Sequence, residues 1–156
     1  MKTVLTYGTF DLFHKGHVRL LKRLSELGDR LIVGISSDEF NELKGKKSFF
    51  SFAERKEILE ACKYVDLVIA ENNWEQKQED IEKYQVDIFG MGSDWYGKFD
   101  HLSEFCQVVY LERTQDISTT EVKKSISMID DEQLKMMQDS LNTAMEVLTA
   151  LRGSTQ

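Results

Sequence analysis

Short aliphatic runs alternate with amphipathic stretches along this chain, the pattern of a parallel sheet covered by helices on both faces. The runs predict strands at Thr3–Tyr7, Arg30–Ser36, Leu67–Ala70, Val86–Met91 and Gln107–Leu111. Between the first two, Val18, Leu21, Leu24 and Leu27 recur every three or four residues. Gly28 follows where a helix C-terminus favours a left-handed residue. Ser51-Phe52-Ala53-Glu54 has capping-box spacing and opens a helix that turns Ile58, Leu59 and Cys62 inward. A more polar helix is expected from Gln76 to Tyr84, and Ser118-Thr119-Thr120-Glu121 repeats the box spacing before a helix through Val122 and Ile126. The fold expected is α/β, a Rossmann-like doubly wound sheet of five parallel strands.

The tail has a different rhythm. Leu134, Met137, Leu141, Ala144, Leu148 and Leu151 are spaced three, four, three, four, three, a narrow coiled-coil-like stripe on an amphipathic helix. Such a stripe serves equally a helix packed on its own domain and a contact between subunits. The expected organisation is one domain over residues 1–128 and a helical extension over 129–156.

Length and composition add bounds. A chain of 156 residues with 41% apolar content is one domain's worth of chain with enough to bury a core. Cys62 and Cys106 stand alone, with neither disulfide nor CxxC spacing, which fits a reducing compartment. The apolar run at the N-terminus is too short for a signal sequence, and no segment approaches a membrane span, so a cytoplasmic location is expected. A net charge of −7 argues against general affinity for nucleic acid or anionic lipid. Basic groups nevertheless collect at Lys44-Gly45-Lys46-Lys47, with Arg55 and Lys56 soon after. Such a run is either a solvated loop or a local anion site.

Candidate chemistry follows the first strand, where Thr9-Phe10-Asp11-Leu12-Phe13-His14-Lys15-Gly16-His17 leads into the first helix. Ligands of open α/β sheets bind at the carboxyl ends of strands. Gly8 and Gly16 allow close backbone approach, and His17 stands at a helix N-terminus whose free N–H groups favour phosphate. His14 reaches the same region. A metal site is disfavoured because no third ligand sits at a familiar spacing.

These residues carry a resemblance. His14-Lys15-Gly16-His17 resembles the HxGH motif of a nucleotidyltransferase superfamily, and Arg113-Thr114 with Ile117-Ser118-Thr119-Thr120 resembles the RTxGISTT motif of its cytidylyltransferase branch. From Lys2 to about Ser127 the chain is similar to the bacterial glycerol-3-phosphate cytidylyltransferases. The resemblance includes Tyr7-Gly8-Thr9-Phe10-Asp11, Asn73-Trp74-Glu75-Gln76-Lys77, Asp94-Trp95 and Gly97-Lys98-Phe99-Asp100.

The resemblance implies transfer of CMP from CTP to glycerol 3-phosphate, with Mg²⁺ accompanying the nucleotide. It assigns His14, His17, Lys46 and Arg113 to catalysis. Thr9, Phe10, Asp11, Gly16, Asp94, Thr114, Ile117, Ser118, Thr119 and Thr120 would join them in binding the nucleotide. Lys44, Arg55, Trp74 and Lys77 would bind the acceptor, although a salt bridge to a nearby Glu is the plainer role for Arg55. A homodimer is implied, as is a product, CDP-glycerol, of the kind used for teichoic acid or glycerol-phosphate capsules. Two positions depart from the pattern. Asp116 stands where the family has glycine, adding negative charge near a triphosphate, and Lys63 replaces the arginine of RYVD, losing a bidentate fork. Other acceptors, namely phosphoethanolamine, phosphocholine or a sugar phosphate, remain compatible with the nucleotide motifs, as does a weakly active nucleotide-binding scaffold.

Overall fold

The computed structural model describes residues 1–113 and 118–153, with 126–131 described by backbone alone. Contacts divide the chain into two compact units, Met1–Thr119 and Thr120–Gln156. The first contains five parallel strands in the order β3-β2-β1-β4-β5. They are β1 Thr3–Gly8, β2 Arg30–Ser36, β3 Leu67–Glu71, β4 Ile88–Gly92 and β5 Gln107–Leu111. The helices of this unit are α1 Lys15–Ser25, α2 Asp38–Leu43, α3 Phe52–Glu60 and α4 Gln76–Lys83. Strand order reverses beside β1, which is the switch point at which a doubly wound sheet opens a crevice for ligands.

Alternating side chains along each strand feed two apolar layers, because strand residues point to opposite faces with a period of two. Val4, Leu31, Val33 and Ile88 pack with Leu21 and Leu24 of α1 and Leu59 of α3. Their neighbours Leu5, Ile32 and Phe89 turn to the other face, against Ile81 of α4, Phe99 and Leu102. Both layers contain fully buried side chains, so the carboxyl edge of the sheet is a rigid platform.

Several details differ from the sequence expectations. The fourth strand begins at Ile88, two residues later than its aliphatic run. Val86 instead gives its N–H to Ile81 O, and the Asp87 carboxylate accepts Thr3 N–H at 2.8 Å. Gly28 does not take the left-handed conformation expected of a helix C-cap, since α1 closes in right-handed geometry at Glu26. Glycine is needed there for a different reason: a Cβ would lie 2.7 Å from Lys2 O and 2.8 Å from Val4 Cγ2. Helix α2 was not anticipated, since six residues are too few for a periodic signal; Ser37 caps it by accepting Phe40 N–H at 3.1 Å.

The expected boundary at 128/129 falls within one helix, α5, which runs from Thr119 to Gly153. On it Leu134, Met137, Leu141, Leu148 and Leu151 are all exposed. Among the described residues no helix is long and apolar enough to cross a membrane.

Leu24 is fully buried, and its side chain lies where a Cβ on Gly90 would come within 2.4 Å. Leu24→Ala should therefore cost about 2–5 kcal/mol, read as a lower midpoint in urea with an unchanged slope. A loss under about 1 kcal/mol would mean that the α1–sheet layer is not the tightly packed one described.

Candidate functional site

The loop after β1 enters α1 through a capping box built from imidazoles. His14 is the N-cap, and its Nδ1 accepts Gly16 N–H at 3.0 Å. His17 occupies the third helical position, and its Nδ1 accepts His14 N–H at 3.2 Å. The spacing of the pair is thus N-cap to N3, the spacing at which serine and glutamate ordinarily cap a helix. Both Nδ1 atoms face N–H donors, so each neutral ring carries its proton on Nε2. Thr119 Oγ1 lies 3.3 Å from each Nε2 and donates its own proton to Asp11 O at 3.2 Å. Its two lone pairs therefore accept from both imidazoles.

The rings stack with centroids 3.9 Å apart. Phe13 stacks on His17 at 5.5 Å and Phe10 meets it at 5.3 Å. Burial in this aromatic enclosure, then the charge of His14, lowers the His17 pKa to about 4, with Asp11 opposing. Burial also lowers that of His14. At neutral pH the pair is uncharged and presents two N–H donors.

Phe10 and Leu12 both have left-handed backbone, with φ of 52° and 49°, a costly conformation for bulky side chains. Between them Asp11, almost wholly buried, holds the turn in place. Its carboxylate accepts N–H groups from Leu12 at 3.1 Å, Phe49 at 2.6 Å and Phe50 at 3.0 Å. Gly8 makes room for the turned-in Phe10 ring, which a Cβ would meet at 2.7 Å.

Arg55 requires a correction. Expected at the acceptor, its side chain has no exposed surface and binds Phe50 O at 3.1 Å, Thr9 O at 3.0 Å and Asp38 Oδ1 at 3.0 Å. It ties the Thr9 loop to α2 and the segment before α3. The plainer salt-bridge role is the one found, with Asp38 rather than a Glu as partner.

A second cluster occupies the carboxyl ends of β2 and β3. Lys77 Nζ binds Glu71 Oε2 at 2.9 Å, and both side chains are about 5% exposed. Lys44 Nζ donates to Ser36 Oγ at 2.8 Å and lies 3.9 Å from Glu71 Oε1. Burial lowers the Lys44 pKa, with Glu71 opposing and Lys46, Lys77 and Arg55 adding to the fall. Half-exposed Trp74 covers the cluster, its ring 4.9 Å from Lys77 Nζ and 5.6 Å from Lys44 Nζ. Lys77 also sits over the Tyr7 ring at 4.7 Å, and the Tyr7 hydroxyl donates to Asp80. Burial and that bond push the Tyr7 phenol well up, so it remains a donor.

Asp94 and Arg113 form an exposed ion pair at 3.8 Å beyond the end of β4. Exposed pairs of this kind hold little stability and are readily opened by a ligand. Lys46 is exposed on the loop after α2, its N–H bound to Asn41 O at 2.8 Å. Ser118 is buried immediately before α5, and Thr120 follows Thr119 in its first turn, on an exposed position. Thr114, Asp116 and Ile117 lie outside the described residues. Lys63 rests over the Tyr64 ring at 5.2 Å. Sequence reasoning missed Glu71, Ser36 and the buried Asn41, whose side-chain amide has no hydrogen-bond partner among the described residues. For Glu71 a signal existed: a carboxylate directly ending an aliphatic strand, where this fold binds ligands.

The Cytidylyltransferase-like family profile matches residues 5–127. The glycerol-3-phosphate cytidylyltransferase of Bacillus subtilis is 58% identical to this chain, covering 81% of it and 98% of that enzyme. The enzyme of the same name from Staphylococcus aureus is 55% identical, over 81% and 96%. Among solved structures, a lipopolysaccharide core biosynthesis protein from Thermoplasma volcanium GSS1 superposes with a TM-score of 0.63 at 24% identity, covering 74% of this chain and 99% of its own, which shows the shared fold. Sequence and fold agree with the histidine cap described above: the chain belongs to the cytidylyltransferase-like family.

Proposed function

We propose that this protein transfers CMP from CTP to glycerol 3-phosphate, releasing pyrophosphate and CDP-glycerol. The observation that carries the reading is the convergence of the His14 and His17 Nε2–H donors on Thr119 Oγ1. An acceptor oxygen bonded by two neutral imidazoles marks a place suited to a phosphoryl oxygen. The relatives named for glycerol 3-phosphate supply the substrate class.

An oxygen of the acceptor's phosphate attacks the α-phosphorus, the bond from that phosphorus to the bridging oxygen of the β-phosphate breaks, and pyrophosphate leaves in line. The acceptor phosphate is already ionised, so no side chain has to remove a proton. Catalysis reduces to alignment and to hydrogen bonds that strengthen as charge builds on phosphoryl oxygens. His14 and His17 donate those bonds, Lys46 and Arg113 add positive charge, and Thr9, Phe10, Gly16 and the Ser118–Thr120 turn enclose the nucleotide. Asp94 meets the ribose or base when its pair with Arg113 opens. Lys44, Lys77 and Trp74 serve the acceptor. Asp11 and Arg55 support the loops that do this work.

Magnesium enters as part of the substrate, bound to the triphosphate. Among the described residues no group of three His, Cys, Asp or Glu is arranged to hold a metal ion. In the same reading the enzyme is a cytoplasmic homodimer that supplies activated glycerol phosphate for teichoic acid or capsule. The exposed heptad-like stripe on α5 supports a contact with a second copy, since Gln138, Ser140, Met145 and Val147 beside it bring no like charges together.

Pyrophosphate release with MgCTP should occur with glycerol 3-phosphate and not with phosphocholine or phosphoethanolamine; turnover confined to another acceptor would refute the substrate assignment. In His17→Ala the rate should fall roughly a hundred- to a thousand-fold, the usual cost of one transition-state donor. A variant retaining nearly full rate would exclude the imidazole from catalysis.

The His17 environment also sets a pH dependence. Its native pKa of about 4 lies below the unfolded value, so between these limits the unfolded chain binds more protons. Protonating Nδ1 would set an N–H against His14 N–H and break the cap. Stability should therefore be complete above about pH 6.5 and decline as pH falls toward 4. Denaturant titration should find this decline reduced in His17→Asn; an equal decline in both proteins would assign it to other groups.

A further inference from the structure

Glu71 ends β3 and has no part in the scheme above, yet its carboxylate faces both Lys44 and Lys77. Its backbone carbonyl accepts Ser37 N–H at 2.9 Å, and its side chain accepts Ser36 Oγ–H at 3.3 Å, which pins the carboxylate across the ends of β2 and β3. Each of its oxygens then faces a different ammonium: Oε2 faces Lys77 at 2.9 Å and Oε1 faces Lys44 at 3.9 Å. The lysines belong to α4 and to the C-cap of α2. Two cations thus share one carboxylate beside the rings of Trp74, Phe40, Tyr7 and Phe99. Buried charge of this kind is costly unless it is paired, and Glu71 is the anion that faces both ammonium groups.

We infer that Glu71 is the positioning residue of the acceptor site, holding Lys44 and Lys77 side by side so that the phosphate of the acceptor is bound by both ammonium groups at once. This rests on the assignment of the two lysines to the acceptor. Glu71 does not touch the substrate in this scheme; it acts through the lysines. A phosphate monoester without a cationic head group complements such a site best, because the two ammonium groups, with Lys46 and Arg55 acting on Lys44, favour an anion and disfavour a further cation. Lysines without the shared carboxylate would repel each other and separate.

The charged groups around Lys44 define a signature. Lys46, Lys77 and Arg55 disfavour its ammonium form and Glu71 favours it; Tyr7 and Asp80 flank Lys77 on the α4 side. Removing only the Glu71 charge takes away the favourable neighbour, so Lys44 should lose its proton at a lower pH than in the wild type.

The test is Glu71→Gln, nearly the same size and still able to bond Ser36, assayed across pH with MgCTP and glycerol 3-phosphate beside the wild type. The expected result is an acceptor KM raised about tenfold or more at mildly alkaline pH, rising from a lower pH than in the wild type, with the KM for CTP essentially unchanged. Glu71→Asp, which restores the charge on a shorter arm, should recover part of the acceptor KM and move the alkaline rise back. An unchanged acceptor KM and profile in Glu71→Gln would overturn the role, as would equal losses for CTP and acceptor, which would indicate general structural damage. If Glu71→Gln does not fold, Glu71→Asp carries the decision by the same split between the two KM values. Wild-type enzyme inactive with glycerol 3-phosphate would remove the acceptor assignment itself and this role with it, an outcome separable from a defect confined to the variants.

Discussion

Two backbone N–H groups determine which way the chemistry of this protein faces. Gly16 N–H and His14 N–H occupy the Nδ1 atoms of His14 and His17, so neither ring has a choice of tautomer and both must direct Nε2–H away from the helix. A capping box ordinarily only satisfies the open end of a helix. Built from imidazoles, it also fixes two donors in parallel at the positive end of the α1 dipole, where an anion is favoured and an imidazolium is not. The low pKa of His17 follows from the same packing, since the rings that stack around it keep water from the charged form.

The surrounding structure keeps that cap at the carboxyl edge of the sheet. Asp11 gathers three N–H groups from two segments, and buried Arg55 gathers carbonyls from Thr9 and Phe50 along with the Asp38 carboxylate. Acid and base cross-brace the same loops from opposite sides and hold Phe10 and Leu12 in left-handed geometry that they would not adopt alone. Local strain at the loop is thus sustained by hydrogen-bonded buried charge. One strand away, Ser36 and Glu71 bring Lys44 and Lys77 to the same edge. Strand order reverses at β1, so the ends of β1, β2 and β3 present both clusters on the ligand side of the sheet.

Much of this was legible in the residues, and what was not has physical reasons. Strands such as Arg30–Ser36 announce themselves because a sheet buried on both faces needs an uninterrupted aliphatic run. The histidine spacing and the helix that follows it were equally open to view. Arg55 misled because a guanidinium near lysines suits an anion site and a buried clamp alike, and only its position relative to the Thr9 and Phe50 carbonyls decides. Gly28 misled because close backbone approach and left-handed geometry both select glycine. Glu71 was invisible as a partner of Lys44 because that contact joins residues 27 positions apart, from the C-cap of α2 to the end of β3, a pairing no local pattern encodes.

Imidazole nitrogen NMR of the protein at neutral pH, with and without MgCTP, addresses the orientation of the two donors directly. His14 and His17 should both appear as neutral rings protonated at Nε2, and both Nε2 signals should move when MgCTP is added. Rings protonated at Nδ1, or Nε2 signals indifferent to saturating MgCTP, would contradict a triphosphate held by this pair.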